Sequence, residues 1–124
     1  MSEAWQRLLQ RPRGARGAVH IHLVGIGGAG LSAIATVLHE EGYAVSGCDR
    51  APSAVTAGLA RRGIVIHQGH AAAHLTGVSL VLASSAVPPD TPELAAARAN
   101  GIPVLRRGEF LAALMRGRVG VAVA

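Results

Sequence analysis

The chain has 124 residues, of which 50% are hydrophobic, but it holds only one Trp, one Tyr and one Phe. This length suits one ordinary domain, and an interior of small aliphatic residues is more typical of helices packed on a buried sheet than of a β-sandwich. The formal net charge is +5, yet the arginines gather near the two ends of the chain and no aromatic residues alternate with them. These features argue against a nucleic-acid partner.

Cys48 is the only cysteine, which excludes an intrachain disulfide and favours a reducing, cytoplasmic location. Residues 1–18 lack the apolar core of a signal peptide, and no apolar run approaches the roughly 20 residues that span a bilayer. We therefore expect a cytoplasmic protein with no membrane partner. The arginine-rich residues 1–17 predict a flexible leader, and the folded domain is expected over residues 18–124.

From residue 18 onward, short apolar runs alternate with alanine-rich stretches. This alternation predicts an α/β fold, a Rossmann-like and mostly parallel sheet of five to six strands with helices on both faces. The predicted strands cover residues 19–24, 43–48, 64–66, 80–83, 102–105 and 119–124, and the predicted helices cover residues 29–41, 53–62, 91–99 and 108–115.

The residues around the predicted helices indicate where they begin and end. Gly42 is the expected residue beyond the end of the first helix, and Ser53 is expected to cap the second. The cap of the third helix is expected to be Thr91, or Asp90 with Glu93 completing a capping box.

A Gly-x-Gly-x-x-Gly loop over residues 25–30 follows the first predicted strand and opens the first helix. Its glycines permit a tight turn, a close approach of backbone to phosphate, and close packing of helix on strand. The helix N-terminus then offers N–H groups and a partial positive charge to a diphosphate. Asp49 ends the second strand, where an acid reaches ribose hydroxyls in such folds. This context favours nucleotide binding over glycines that serve only a turn.

Several nucleotides fit this pattern. A nicotinamide dinucleotide is the default, but a dehydrogenase also needs a substrate domain, for which 124 residues leave no room. A regulatory module for NAD or an adenine nucleotide remains an alternative. An interaction protein whose basic ends bind a partner is another, and steep salt dependence would mark it.

The run His-Leu-Val-Gly-Ile-Gly-Gly-Ala-Gly-Leu-Ser over residues 22–32 closely resembles the start of enzymes of the Mur ligase family. Within that family the likeness is strongest to the ligases that join L-alanine to UDP-N-acetylmuramate, although Leu31 stands where Met is usual and Ala33 where Gly is usual. The resemblance extends over roughly residues 18–124. Further similar segments are residues 41–49, 69–70, 84–87, 90–93, 106–115 and 119–124.

The resemblance implies a domain that binds UDP and UDP-N-acetylmuramate for peptidoglycan biosynthesis. A complete enzyme of this family uses ATP and Mg²⁺ to phosphorylate the muramyl carboxylate, which the L-alanine amine then attacks. The chain stops at Ala124, before the ATP loop of the family, so the ATPase and C-terminal ligase domains are expected to be missing from it. We therefore expect no catalytic residue and no cofactor in this chain by itself.

The glycine loop and the resemblance together assign the residues that contact UDP. The loop and the start of its helix offer backbone N–H groups to the diphosphate, Asp49 accepts hydrogen bonds from ribose or uracil, and His70 stacks on uracil or hydrogen-bonds to it. The segment after the fourth strand offers hydroxyl and backbone contacts, unless its serines only satisfy their own turn. The full set is Gly27, Gly28, Ala29, Gly30, Leu31, Ser32, Asp49, His70, Ser84, Ser85 and Ala86.

The remaining histidines raise the question of a metal. His67, His70 and His74 have a spacing that suggests one, but no Cys or carboxylate near them in the sequence completes a tetrahedral set, so no metal site is expected. His22 is expected to be a hydrogen-bonded structural histidine close to the glycine loop. Cys48 is expected to be buried.

Overall fold

The computed structural model describes residues 18–51, 53–69 and 71–106. The leader, the helix predicted over 108–115 and the strand predicted over 119–124 lie outside these residues, as does His70. The elements in chain order are β1 (His20–Val24), α1 (Ala29–Glu40), β2 (Ala44–Asp49), α2 (Ala54–Arg61), β3 (Val65–Gln68), a 3-10 helix (Ala72–Leu75), β4 (Leu80–Ala83), α3 (Pro92–Ala99) and β5 (Val104–Arg106).

The five strands form one parallel sheet in the order β3-β2-β1-β4-β5. This arrangement confirms the predicted α/β fold. The strand order reverses beside β1, which pairs with β2 on one side and with β4 on the other. In open sheets of this kind ligands bind at that reversal, outside the carboxyl ends of the strands.

Both faces of the sheet are covered, because successive strand side chains point to opposite faces. On one face Ile21 and Leu23 pack against Leu31, Leu38 and Leu59 of α1 and α2 in the larger hydrophobic cluster. The opposite face packs against α3 and the 3-10 helix in a smaller cluster, whose buried members are Val24, Cys48, Leu75, Val78, Val81, Ala83, Leu94 and Ala97. Cys48 is buried, as predicted.

The caps of α1 and α2 agree with the sequence. Gly42 follows α1 with a φ of 101°, a left-handed conformation that favours glycine. The Ser53 hydroxyl accepts the Thr56 N–H at 3.2 Å, and the Thr56 hydroxyl oxygen accepts the Ser53 N–H at 2.9 Å. This reciprocal pair is a capping box, which satisfies two N–H groups at the start of α2.

Thr91 is the N-cap residue of α3, as predicted, but its side chain makes no capping hydrogen bond. The Thr91 hydroxyl instead donates to the Pro88 carbonyl at 2.7 Å. Glu93 is fully buried and accepts hydrogen bonds from Cys48 and His74, so it does not reach back to the helix start. The 3-10 helix that contacts α3 has no counterpart among the predicted elements.

Among the described residues, no helix has the length and apolar character needed to cross a membrane.

Candidate functional site

A cleft of about 380 Å³ opens at the carboxyl ends of β1, β2 and β4. Its walls are the glycine loop after β1, the residues after β2 and the loop after β4. Of the residues predicted to bind UDP, it brings together Gly27, Gly28, Asp49, Ser84 and Ala86. Its other lining residues are Gly25, Arg50, Ala51, Ser53, Val87 and Pro88.

The glycine loop passes very close to its neighbours. Gly25 has a φ of 82°, and a Cβ atom there would lie 3.0 Å from the Ser84 Cβ. A Cβ atom on Gly27 would lie 2.6 Å from Asp49 Oδ2. The Gly27 N–H donates to that same oxygen at 2.8 Å. Both glycines are therefore needed for the loop to fit between the β2 and β4 walls.

The loop and the first turn of α1 contain two sets of backbone N–H groups: those that donate within the protein, and those at the helix end. Gly27 donates to Asp49, Gly28 donates to the Gly25 carbonyl at 3.0 Å, and Ser32 begins the helical bonding by donating to the Gly28 carbonyl at 2.9 Å. We expected Gly27 and Gly28 to offer their N–H groups to a diphosphate, but in this structure both already have acceptors. The N–H groups of residues 29–31 precede the first helical bond and are the ones directed out of the helix end.

The predicted residues of α1 contribute backbone rather than side chains. The Leu31 side chain is 1% exposed and packs in the larger hydrophobic cluster. Gly30 has no side chain to offer, and Ser32 is half-buried. Gly30 and Leu31 can therefore contact a ligand only through backbone groups.

The loop after β4 forms the opposite wall and is braced from behind. The Ser84 hydroxyl accepts the Ala86 N–H at 3.2 Å, so this serine does satisfy its own turn. Arg106 donates to the carbonyl oxygens of Ser84 and Val87 at 2.6 and 3.0 Å. Ser85 is exposed and does not line the cleft. The bracing role of Arg106 is not visible in the sequence, because an arginine at a strand end gives no sign of which carbonyl oxygens it reaches.

Two charged residues at the end of β2, Asp49 and Arg50, line the cleft. Asp49 is half-buried and presents its carboxylate between the glycine loop and α2, while Arg50 beside it is exposed at the rim. A cation at the rim suits an anionic ligand.

A second group of polar side chains lies beneath the sheet, and sequence reasoning missed it. The group consists of four residues, His22, Cys48, His74 and Glu93. Each has one nitrogen, sulfur or oxygen atom of the kind that binds metals, and these four atoms all lie within 4.8 Å of one another. No Cys or carboxylate stands beside His74 in the sequence, but the fold brings Cys48 and Glu93 next to it. The members come from β1, β2, the 3-10 helix and α3, so only the fold brings them together. The face alternation of β1 and β2 was the one available signal, since it puts His22 and Cys48 on the same side.

Glu93 Oε2 is the acceptor at the centre of this polar cluster. The Cys48 thiol donates to it at 3.1 Å, the Ala71 N–H at 3.0 Å, and His74 Nδ1 lies 2.6 Å from it. Burial opposes ionisation of Glu93, but these hydrogen bonds outweigh it and hold the pKa of the carboxyl below its usual value.

His22 and Cys48 are neutral members of the cluster. Burial lowers the pKa of His22 to about 3, so its imidazole carries no charge at neutral pH. Burial, together with the hydrogen bond to Glu93, raises the pKa of the Cys48 thiol well above its usual value. The thiol is thus protonated and acts as a hydrogen-bond donor.

A family model and two relatives that match the chain all belong to the Mur ligases. The model of the Mur ligase family, catalytic domain, matches residues 20–119. UDP-N-acetylmuramate–L-alanine ligases from Delftia acidovorans and Laribacter hongkongensis are 55% and 54% identical to the chain over 105 residues, which make up 85% of this chain and 22% of each relative. The chain thus spans about a fifth of the length of the curated relatives it matches.

Solved structures are also similar. The UDP-N-acetylmuramate–alanine ligase of Thermotoga maritima has a TM-score of 0.77 at 33% identity, over 80% of this chain and 23% of that one. The UDP-N-acetylmuramate:L-alanyl-γ-D-glutamyl-meso-diaminopimelate ligase of Neisseria meningitides has a TM-score of 0.69 at 27% identity, over 75% of this chain and 30% of that one.

Proposed function

Because the chain belongs to the Mur ligase family, we propose that its domain over residues 18–124 binds UDP and UDP-N-acetylmuramate for peptidoglycan biosynthesis. The observation that carries the proposal is the position of the α1 N-terminus. The helix begins directly after Gly27 and Gly28, which line a cleft that also holds Asp49 and Ser84.

The diphosphate is assigned to the N–H groups of Ala29, Gly30 and Leu31. These donors precede the first helical hydrogen bond, that of Ser32 to Gly28, so the helix itself leaves them available. Gly27 and Gly28 stay in the site for other reasons. Gly27 lets the loop approach Asp49, and the absence of a Cβ atom on Gly28 lets phosphate oxygens approach the loop. Arg50 at the rim adds a positive charge that a diphosphate would meet.

The uridine moiety is assigned to the wall formed by β2 and the residues that follow it. Asp49 Oδ2 accepts the Gly27 N–H, and its carboxylate has further lone pairs for a ribose hydroxyl or a uracil N–H. His70 is carried over from the family resemblance as the residue that contacts uracil, although it lies outside the described residues. Ser84 and Ala86 are assigned hydroxyl and backbone contacts from the opposite wall, and Ser85, which does not line the cleft, is left out of the proposed contacts.

In the whole enzyme, this domain would hold the sugar carboxylate for ATP-dependent amide bond formation with L-alanine. ATP and Mg²⁺ belong to the parts of the family's enzymes that this chain does not span. The proposed contribution of the present residues is binding and orientation, through rigid backbone donors that need little ordering when the ligand arrives.

Backbone amide resonances of the chain provide a direct test of the site. Addition of UDP should shift the resonances of residues 29–31 most strongly, followed by those of Asp49 and of residues 84–86. The amides of α3, on the far side of the sheet, should stay in place. Shifts confined to α3 or to the arginine-rich ends would contradict the assignment and favour a different partner.

A further inference from the structure

The polar cluster beneath the sheet has the composition of a metal site. His22, Cys48, His74 and Glu93 supply two imidazoles, one thiol and one carboxylate, and their ligand-type atoms all lie within 4.8 Å of one another. Three of the four residues are buried, and the His74 side chain is only 13% exposed. Mixed sulfur and nitrogen ligands in a closed set of four are typical of structural zinc sites.

The spacing of the cluster suits that ion. Zinc bonds of about 2.0–2.3 Å place the ligand atoms of a tetrahedral site roughly 3.3–3.6 Å apart. In the structure, His74 Nδ1 lies 2.6 Å and Cys48 Sγ 3.1 Å from Glu93 Oε2, and no pair in the cluster exceeds 4.8 Å. These separations bracket the tetrahedral value, so small side-chain movements convert the hydrogen-bonded cluster into a coordination sphere.

His22 supplies an observation that hydrogen bonding within the cluster does not explain. Its Nδ1 lies 2.7 Å from the Ser46 hydroxyl, which in turn lies 2.6 Å from His20 Nε2. Its Nε2 is fully buried and has no hydrogen-bond partner among the described residues. An imidazole held through one nitrogen by a buried hydroxyl, with its other nitrogen unsatisfied, is the arrangement of a metal ligand and its orienting partner.

We propose that His22 Nε2, Cys48 Sγ, His74 Nδ1 and a Glu93 carboxylate oxygen bind one Zn²⁺ ion. On binding, the Cys48 thiol releases its proton to solvent and the thiolate becomes a ligand. His74 loses the Nδ1 proton that it donates to Glu93 and carries a proton on Nε2, which frees the Nδ1 lone pair for the ion. The Ala71 N–H, which donates to Glu93 Oε2 at 3.0 Å, orients the carboxylate from outside the coordination sphere. Four protein ligands leave no open position for a substrate, so the role is structural.

The position of the site connects the ion to the cleft. Cys48 immediately precedes Asp49, and Glu93 lies in α3, which follows the wall that carries Ser84 and Ala86. An ion bound to both Cys48 and Glu93 would link β2 to α3, and through them the β2 and β4 walls of the cleft. The inference rests on the cluster geometry and is independent of which nucleotide the cleft binds.

Cobalt titration of the full 124-residue chain, prepared with a chelator and without a histidine tag, tests the proposal. Co²⁺ should bind at one ion per chain and produce a thiolate-to-cobalt charge-transfer band, which Zn²⁺ then abolishes. Because Cys48 is the only cysteine, the band identifies its ligand without any substitution. Weak or non-stoichiometric binding, or one ion per chain without the band, would overturn the proposal and leave the cluster as a hydrogen-bonded network.

Substitutions then locate the other ligands. Cys48→Ser should abolish the charge-transfer band, and Ser46→Ala, which removes only the orienting hydroxyl, should weaken zinc binding by about 10- to 100-fold. His39→Asn is the matched control, because His39 lies at the end of α1 and should leave the band unchanged. Zinc at a hundred times its Kd should also raise the Tm of the wild-type chain by roughly 10 °C. Equal zinc affinity in wild type and Cys48→Ser would contradict the assignment.

Discussion

Asp49 fixes the glycine loop from the neighbouring strand: its Oδ2 accepts the Gly27 N–H at 2.8 Å, and a Cβ atom on residue 27 would lie 2.6 Å from the same oxygen. The acid therefore shapes the loop as well as facing the cleft. These two roles can be separated, because an amide oxygen still accepts the Gly27 N–H whereas a methyl group does not.

Substitution of Asp49 should weaken UDP binding in two steps. Asp49→Ala removes both the support of the loop and the acceptor for uridine, and should cost about 1–3 kcal/mol, the usual effect of a hydrogen bond to a charged group. Asp49→Asn keeps an acceptor for Gly27 and should lose less. Calorimetry on both variants measures the difference. Equal UDP affinities in the wild type and Asp49→Ala would show that Asp49 does not contribute to UDP binding.

Gly28 offers a way to block the cleft without disturbing the fold. Its φ of −66° and ψ of 147° are open to any residue, and a Cβ atom there would lie 3.3 Å from the Gly25 carbonyl oxygen, a tight contact that a small shift of the loop relieves. Gly28→Val should therefore lower the melting temperature by only a few degrees while it reduces UDP affinity at least about tenfold, a loss of roughly 1.4 kcal/mol.

Gly58→Val is the matched control for that experiment. Gly58 lies within α2, away from the cleft, and a Cβ atom there would meet only an Arg61 nitrogen at 3.9 Å. This variant should bind UDP like the wild type. If Gly28→Val did so as well, the assignment of the loop to the diphosphate would be wrong.

Gly47 should be intolerant of any side chain for a purely structural reason. A Cβ atom at this position of β2 would lie 2.4 Å from Ile26 Cδ1 and 2.9 Å from the Leu23 carbonyl oxygen. Gly47→Ala should lower the free energy of unfolding by about 1–3 kcal/mol, as overpacking of a core does. Urea denaturation measures it, with Gly58→Ala as a control that should be neutral or stabilising. An unchanged Gly47→Ala stability would mean that Ile26 moves aside freely.

The capping box of α2 should contribute measurably to stability. Ser53→Ala removes the acceptor of the Thr56 N–H, and the expected loss is about 1 kcal/mol. Ser53→Asp should recover most of that loss, because its carboxylate also accepts the N–H and lies at the positive end of the helix. If urea denaturation gave equal stability for Ser53→Ala and the wild type, solvent would have replaced the cap.

Features set by local sequence were predictable here, whereas those set by distant contacts were not. Within the described residues, the five strands, the three α-helices, the glycine loop and the Ser53 cap follow from periodicity and short-range chemistry, and they agree with the structure. The predicted capping box of α3 does not form, because Glu93 is instead held by Cys48 and His74 and does not reach back to the helix start.

The donors of the loop show the same limit. Glycine spacing predicts that backbone approaches a phosphate, but it does not say which N–H groups the protein itself has already engaged. The bonds of Gly27 to Asp49 and of Gly28 to Gly25 became visible only in three dimensions. The polar cluster beneath the sheet is hidden for a related reason, since its four residues lie in four elements.

Calorimetric titration of the chain with UDP, beside NAD and ADP at the same concentrations, tests the central proposal most directly. Saturable binding of UDP at one molecule per chain, with little heat from NAD or ADP, is the result that a uridine-nucleotide domain predicts. Binding of NAD or ADP in preference to UDP, or of none of the three, would contradict it and leave the glycine loop without the assigned ligand.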